Sequence, residues 1–107
     1  MDTLFEEQTD KLEKPHFLIL YWSTLAEDKE SKYNITNVFD DLKYGKITRT
    51  KQSAVAYVET LSTMCFIELR DESNRKNLYL TNYGAKALEK LIVSKKFELI
   101  DSNYLED

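Results

Sequence analysis

Hydrophobic residues recur at a helical spacing through the first 65 positions of the chain and then switch to the alternation of a strand. The run at 17–22 is apolar on nearly every side, which predicts a helix that is buried on most of its faces. Pro15 suits the first turn of this helix, which we expect to continue to Ala26. Ahead of it, residues 1–14 form a polar arm that has the pattern of a short amphipathic helix, with Asp2 or Thr3 as its N-cap.

Two more helices are predicted in the middle of the chain. The first has Asn34 or Thr36 as its N-cap and Gly45 after its end, and its inner face is formed by Ile35, Val38, Phe39 and Leu42. The second begins after Thr48 or Thr50 and carries the apolar stripe Ala54, Val55, Val58, Leu61, Met64 and Cys65. We expect Cys65 to be a small residue of the core.

A β-hairpin and a last helix are predicted in the remainder of the chain. Residues 66–70 and 77–80 have the pattern of two strands, and the polar residues 71–76 between them have the composition of a turn. Thr81 or Asn82 then caps a helix whose apolar positions are Ala85, Leu88, Leu91, Ile92, Val93, Phe97, Leu99 and Ile100. The chain therefore divides into an arm (1–14), a central domain (15–84) and a C-terminal helix (85–107), in a mainly helical α+β fold.

The charge of the chain is unevenly distributed. The formal net charge is −4, yet residues 43–58 contain four basic residues and no Asp or Glu. A second basic group consists of Arg70, Arg75 and Lys76, diluted by Asp71 and Glu72, and its last two members lie in the predicted hairpin turn. An acidic chain with a basic segment can offer one face to phosphate groups, although a solvated charged loop would have the same composition.

The sequence carries no pattern that is typical of an enzyme. It has a single His, a single Cys, no glycine-rich phosphate loop and no nucleophile motif, so we expect neither catalysis, a metal site nor a cofactor. His16 is expected to lie at a helix N-terminus without a chemical role. The longest apolar run has six residues where a membrane span needs about 20, and we expect a cytoplasmic protein without membrane contact.

The order of three helices, a hairpin and a helix is that of a winged helix-turn-helix. In such a fold the third helix enters the major groove of DNA, and the hairpin, or wing, reaches a phosphate or the minor groove. The residues expected to contact DNA are Lys43, Lys46, Arg49, Thr50, Lys51, Gln52, Ser53, Ala56, Tyr57, Arg75 and Lys76. Gln52, Ser53, Ala56 and Tyr57 would read bases, although Tyr57 could equally be a half-buried packing residue.

Two segments resemble the MarR- and PadR-like regulators. VETLSTMCFIELR at 58–70 is similar to the end of their recognition helix and first wing strand, and LYLTNYG at 78–84 is similar to their L-T-x-x-G motif. The resemblance covers about residues 34–92 and implies a small single-domain DNA-binding member. The chain departs from the family at Cys65, where the family has a glycine, and in the longer link between Leu42 and Ala54.

The two ends of the chain carry more apolar residues than a small core needs. We expect them to form a homodimer interface through Leu4, Phe5, Leu12, Leu88, Ile92 and Leu99. A dimer would set two recognition helices about one DNA turn apart. The alternative is a monomer whose terminal segments fold back on the chain itself.

The sequence therefore predicts a homodimeric, sequence-specific regulator of transcription that binds double-stranded DNA. Two alternatives remain open. The same surface could belong to a DNA-binding adaptor for plasmid partition or replication that recruits a second protein. The winged helix could also serve protein–protein contact alone, with its acidic body on a basic partner.

Overall fold

The computed structural model describes residues 3–105, which form five helices and one antiparallel hairpin. The elements are α1 (Thr3–Asp10), α2 (Lys14–Asp28), α3 (Ile35–Tyr44), α4 (Lys51–Thr63), β1 (Ile67–Glu72), β2 (Arg75–Leu80) and α5 (Asn82–Ser94). The predicted class, α+β and mainly helical, is confirmed. Asp2, one of the two caps considered for the arm, lies outside the described residues.

Side-chain caps fix where three of the helices begin. Asn34 accepts a hydrogen bond from the backbone N–H of Asn37 at 2.9 Å and thereby caps α3. Thr50 accepts from Ser53 N–H at 3.2 Å, which selects Thr50 over Thr48 as the N-cap of α4. Thr81 caps α5 in the same way. These short polar side chains satisfy amides that the first helical turn leaves without partners.

Helix α2 is the centre of the core, as its apolar pattern predicts. Phe17, Leu18, Ile19, Leu20 and Trp22 are all buried, and the helix contacts α4, α5 and β2. Because these neighbours surround it, α2 has apolar residues on nearly every face rather than along one stripe.

The hairpin turn is shorter than its sequence suggests. Strands β1 and β2 pair from Ile67 with Leu80 to Glu72 with Arg75, so the turn consists of Ser73 and Asn74 alone. Both residues have positive φ, 51° and 65°, as a two-residue turn with the twist of the strands requires. The prediction that Arg75 and Lys76 lie in the turn is therefore wrong, because both belong to β2.

The last helix is also shorter than predicted. Helix α5 ends at Ser94, and Lys95 takes a left-handed conformation with φ of 56°. The following tail lies across the chain itself: Trp22 Nε1 donates to the carbonyl oxygen of Ile100 at 2.7 Å, and Lys29 Nζ donates to that of Leu105 at 2.6 Å. The prediction that the helix continues through residues 99 and 100 is wrong.

A buried carboxylate fastens this tail to α3. The hydroxyls of Tyr33 and Ser102 both donate to Asp41 Oδ2 at 2.5 Å, and the backbone N–H of Tyr104 donates to Oδ1 at 3.0 Å. Burial and the neighbouring Asp41 charge raise the pKa of the Tyr33 hydroxyl far above its ordinary value. Three donors thus satisfy a carboxylate that has no exposure to water.

Three of the six residues assigned to a dimer interface belong to the core or its margin. Leu12 and Leu88 are buried within the single chain, so a second subunit has almost no surface left to cover there. Phe5 is half-buried and packs its ring edge on Tyr83, with centroids 5.0 Å apart. Leu4, Ile92 and Leu99 remain exposed, by 59%, 44% and 54%.

Cys65 differs from its predicted place in the core. It is exposed and adopts φ of 65°, directly after the residue that caps the C-terminus of α4. The left-handed position that a glycine commonly occupies after a helix is thus filled by cysteine. Its N–H donates to the Ser62 carbonyl oxygen, and the next residue, Phe66, returns to the core.

Candidate functional site

An open groove of ≈ 670 Å³ lies where the chain passes from α3 into α4. It is lined by Lys43, Lys46, Ile47, Thr48, Arg49, Thr50, Ser53 and Tyr57. Six of these eight residues were assigned to nucleic-acid contact from sequence. The structure therefore brings together most of the basic segment and the first two turns of α4.

The end of α3 sets the shape of this groove. Gly45 caps the helix with an ordinary negative φ, and Lys46 makes the left-handed turn at φ of 60°. The N–H of Ile47 then donates to the carbonyl oxygen of Leu42 at 2.8 Å, which closes the helix end. The expected role of Gly45 as the turning residue thus belongs to Lys46.

The groove is positively charged. Its lining contains three basic residues and no carboxylate. Among residues 3–105, none of the side chains of Lys43, Lys46, Arg49 and Lys51 forms an ion pair with a carboxylate. Lys43 Nζ lies 5.8 Å from the centre of the Phe39 ring, an attraction that leaves the charge available to solvent.

The N-terminus of α4 adds to this positive potential. Thr50 Oγ1 contacts Ser53 Oγ at 2.9 Å and accepts from the Ser53 backbone N–H. The amides of the two preceding residues, Lys51 and Gln52, belong to the first turn and have no intrahelical acceptor. Such N-terminal amides, together with the partial positive charge of the helix end, suit a phosphate group.

Tyr57 forms one wall of the groove and is held in place by His16. The two rings meet edge to face, with centroids 5.3 Å apart and an interplanar angle of 81°. Tyr57 is half-buried, so the packing role that sequence analysis left open is realised. Burial lowers the pKa of the His16 imidazole from its ordinary value, which favours the neutral form of this ring.

Three of the other predicted contact residues lie on the outer face of α4. Lys51, Gln52 and Ala56 are exposed and do not line the groove. Their positions at the start of the helix and one turn further along leave them free to contact a ligand laid along α4.

The two basic residues of the hairpin are apart from this site. Arg75 lies opposite Glu72 and Lys76 opposite Asp71 in the strand register, although within residues 3–105 neither basic side chain forms an ion pair with a carboxylate. Glu72 also accepts hydrogen bonds from Asn77 at 2.8 Å and from Tyr79 at 2.5 Å, and these bonds lower its pKa. The basic residue that forms an ion pair with this carboxylate is Lys32, whose Nζ lies 3.5 Å from Oε1.

Sequence reasoning missed two residues of the groove. Ile47 and Thr48 line it, but Thr48 was considered only as a helix cap and Ile47 was not considered. Their position between Lys46 and Arg49 indicates that they lie beside basic residues, but it indicates a groove only once the start of α4 is known.

Residues 3–105 contain no group of three or more His, Cys, Asp or Glu side chains that could hold a metal ion. No helix in this range has both the length and the apolar character needed to span a membrane.

Comparison of the chain with protein-family models, with curated proteins and with solved structures finds no match. The resemblance to MarR- and PadR-like regulators therefore stays a prediction from the quoted motifs.

Proposed function

We propose that the chain is a winged helix-turn-helix protein that binds double-stranded DNA in a sequence-specific manner and regulates transcription. Helix α4 would be the recognition helix, and the β1–β2 hairpin would be the wing. The observation that carries the proposal is the groove free of carboxylates at the N-terminus of α4, in a chain of net charge −4.

The arrangement suits a duplex for a geometric reason. A helix of 13 residues is about 20 Å long, at 1.5 Å per residue, and the major groove admits a helix. With Lys46 and Arg49 on the phosphates, the exposed side chains of Gln52 and Ala56 would face the base edges. Gln52 could bind adenine through two hydrogen bonds, and Ala56 could contact a thymine methyl group.

We expect the wing to contribute less to DNA affinity than the sequence predicts. Arg75 and Lys76 lie opposite Glu72 and Asp71 in the strand register, so these carboxylates would repel a phosphate that approaches the hairpin. The grip on the backbone would come mainly from the groove beside α4.

The proposed dimer would use the apolar surface that remains exposed. Ile92 and Leu99 line one open groove of ≈ 460 Å³ between α5 and the tail, next to Phe17 and Phe97. Sedimentation should report twice the 12.6 kDa chain mass, and replacing Ile92 and Leu99 by Asp should return the protein to that mass. A monomer at micromolar concentration would contradict the proposed dimer.

Selection of bound sequences from random duplexes tests the proposed function. We expect one enriched motif, and we expect Lys51→Glu to weaken binding to every duplex and to flatten its salt dependence. Lys86→Glu, the same charge reversal on the exposed face of α5, is the matched control and should change binding far less.

The other outcomes identify the alternatives. Tight binding that enriches no motif and coats clustered sites would favour the adaptor for partition or replication. Absence of binding to any duplex at low salt would overturn the proposal and favour a winged helix that contacts proteins alone.

A further inference from the structure

A second groove lies directly beside the first one. It has a volume of ≈ 510 Å³ and runs along the α1–α2 junction to the start of the C-terminal tail. Its lining consists of residues 10–15 together with Tyr57, Lys96 and Phe97. None of its lysines was assigned to nucleic-acid contact from sequence.

Tyr57 joins the two grooves. Tyr57 lines both of them, and its ring packs edge to face on the His16 ring. A ligand that lies in the first groove can therefore continue over Tyr57 into the second one without leaving the surface.

The second groove is lined by three lysines and two carboxylates, and both carboxylates interact with positive charge elsewhere in the chain. Asp10 is compensated by Lys90, whose Nζ lies 3.7 Å from Oδ1. Glu13 lies at the positive N-terminal end of α2, where it forms a capping box with His16.

Three lysines remain without such compensation. Within the described chain, Lys11, Lys14 and Lys96 form no ion pair with a carboxylate. Lys96 Nζ instead donates to the backbone carbonyl oxygen of Asp10 at 3.4 Å, a bond that keeps it over the groove.

We propose that this second groove binds the sugar–phosphate backbone of the same duplex, continuous with the contact at the N-terminus of α4. Lys11, Lys14 and Lys96 each meet a phosphate there, and Tyr57 separates the two contacts. This inference rests on the proposed function, and it extends the footprint from α4 to the α1–α2 junction and the tail.

The salt dependence of binding to a duplex that carries the selected site tests this second contact. Log affinity falls as log salt rises, and each phosphate contact adds about 0.9 to the magnitude of this slope. Lys11→Gln, Lys14→Gln and Lys96→Gln should each lower the slope by about that amount. Lys86→Gln removes one exposed charge outside both grooves and should leave the slope unchanged.

A charge-preserving variant separates this effect from a change in folding. Lys14→Arg should keep the wild-type slope, while the thermal midpoint of every variant stays close to that of the wild type. A drop in slope for at least two of the three Gln variants supports the second contact, and a drop in fewer than two overturns it.

The experiment also distinguishes the two proposals. If the wild-type protein binds no duplex, the proposed function itself fails. If the protein binds, and Lys46→Gln lowers the slope while changes at Lys11, Lys14 and Lys96 do not, only the second contact is wrong.

Discussion

The carbonyl carbon of Phe66 lies 2.8 Å from the position that a β-carbon on Gly84 would occupy, and its carbonyl oxygen lies closer still. This contact joins the entry of the hairpin to the first turn of α5. Thr81 completes the junction, because its hydroxyl donates to the carbonyl oxygens of Cys65 at 2.7 Å and Phe66 at 3.0 Å and accepts from Gly84 N–H at 2.9 Å. Gly84 has no positive φ, so its backbone conformation does not require glycine. Glycine is required there because the Phe66 backbone leaves no room for a β-carbon.

Gly84→Ala should therefore destabilise the protein by about 1–3 kcal/mol or more, because the added methyl group meets backbone that cannot move aside. Gly45→Ala is the matched control. A β-carbon at Gly45 would have its nearest neighbour at 3.5 Å, and its φ of −79° suits alanine. Urea unfolding checks both variants. Equal stability of the two would contradict the proposed role of the Phe66–Gly84 contact.

The carboxylate of Asp41 should be needed to hold the C-terminal tail. Asp41→Ala leaves the buried hydroxyls of Tyr33 and Ser102 without an acceptor, at a cost of about 1–3 kcal/mol for each. Asp41→Asn should cost less, because its amide can donate to reoriented hydroxyls. Asp40→Ala, at the exposed neighbouring position, should stay within about 0.5 kcal/mol of wild type. Denaturant unfolding measures all three, and equal effects at 40 and 41 would exclude the tail anchor.

Stability should fall as the pH drops through the range in which free histidine titrates. Burial lowers the pKa of His16 in the folded protein, so between that lower value and 6.5 the unfolded chain binds more protons. The stabilising contribution of neutral His16 is therefore complete above pH 6.5 and is lost toward lower pH. His16→Gln keeps an acceptor for the Glu13 N–H and does not titrate. Unfolding free energies from pH 5 to 8 should fall more steeply for the wild type than for this variant.

The sequence predicts a helix start well where a side chain forms a hydrogen bond with a backbone amide nearby in the chain. Asn34, Thr50 and Thr81 were among the predicted caps because a short polar side chain at a helix start accepts from an amide two or three residues on. The buried character of α2 followed from its apolar run. These features depend on nearby residues alone.

The errors arose where the backbone turns without glycine. Among the described residues, six non-glycine residues have positive φ and no glycine does. Lys46, Cys65, Asn74 and Lys95 therefore end helices or make turns at positions where the sequence gives little warning. The apolar residues after Lys95 have a helical spacing, but Phe97 packs on Phe17 and the carbonyl oxygen of Ile100 accepts from Trp22, and both partners are distant in sequence.

The candidate site was predictable in its residues and only partly in its geometry. The absence of carboxylates from 43–58 pointed to the groove, but the balance of charge in the hairpin depends on strand register. The second groove depends on packing between distant segments, which no local pattern reveals.

The last prediction separates residues that contact the DNA backbone from residues that recognise base edges. Arg75→Ala combined with Lys76→Ala should lower affinity slightly and by a similar factor on every site, because both residues face carboxylates and no base edge is assigned to them. Lys46→Ala combined with Arg49→Ala should lower affinity far more, since the groove that these two residues line contains no carboxylate to repel a phosphate. Gln52→Ala should relax preference at one or two base pairs and cost about 1–3 kcal/mol on the preferred site.

Binding of these variants to a panel of duplexes that differ from the selected site by single base pairs measures both effects. Gln52→Ala should change the order of preference among the duplexes, whereas the two basic double variants should lower all affinities in parallel. A changed order for the hairpin variant, with a parallel loss for Gln52→Ala, would make the hairpin the reading element. In that case α4 would only grip the backbone, because the residues that determine specificity are those whose removal alters the ranking of sequences.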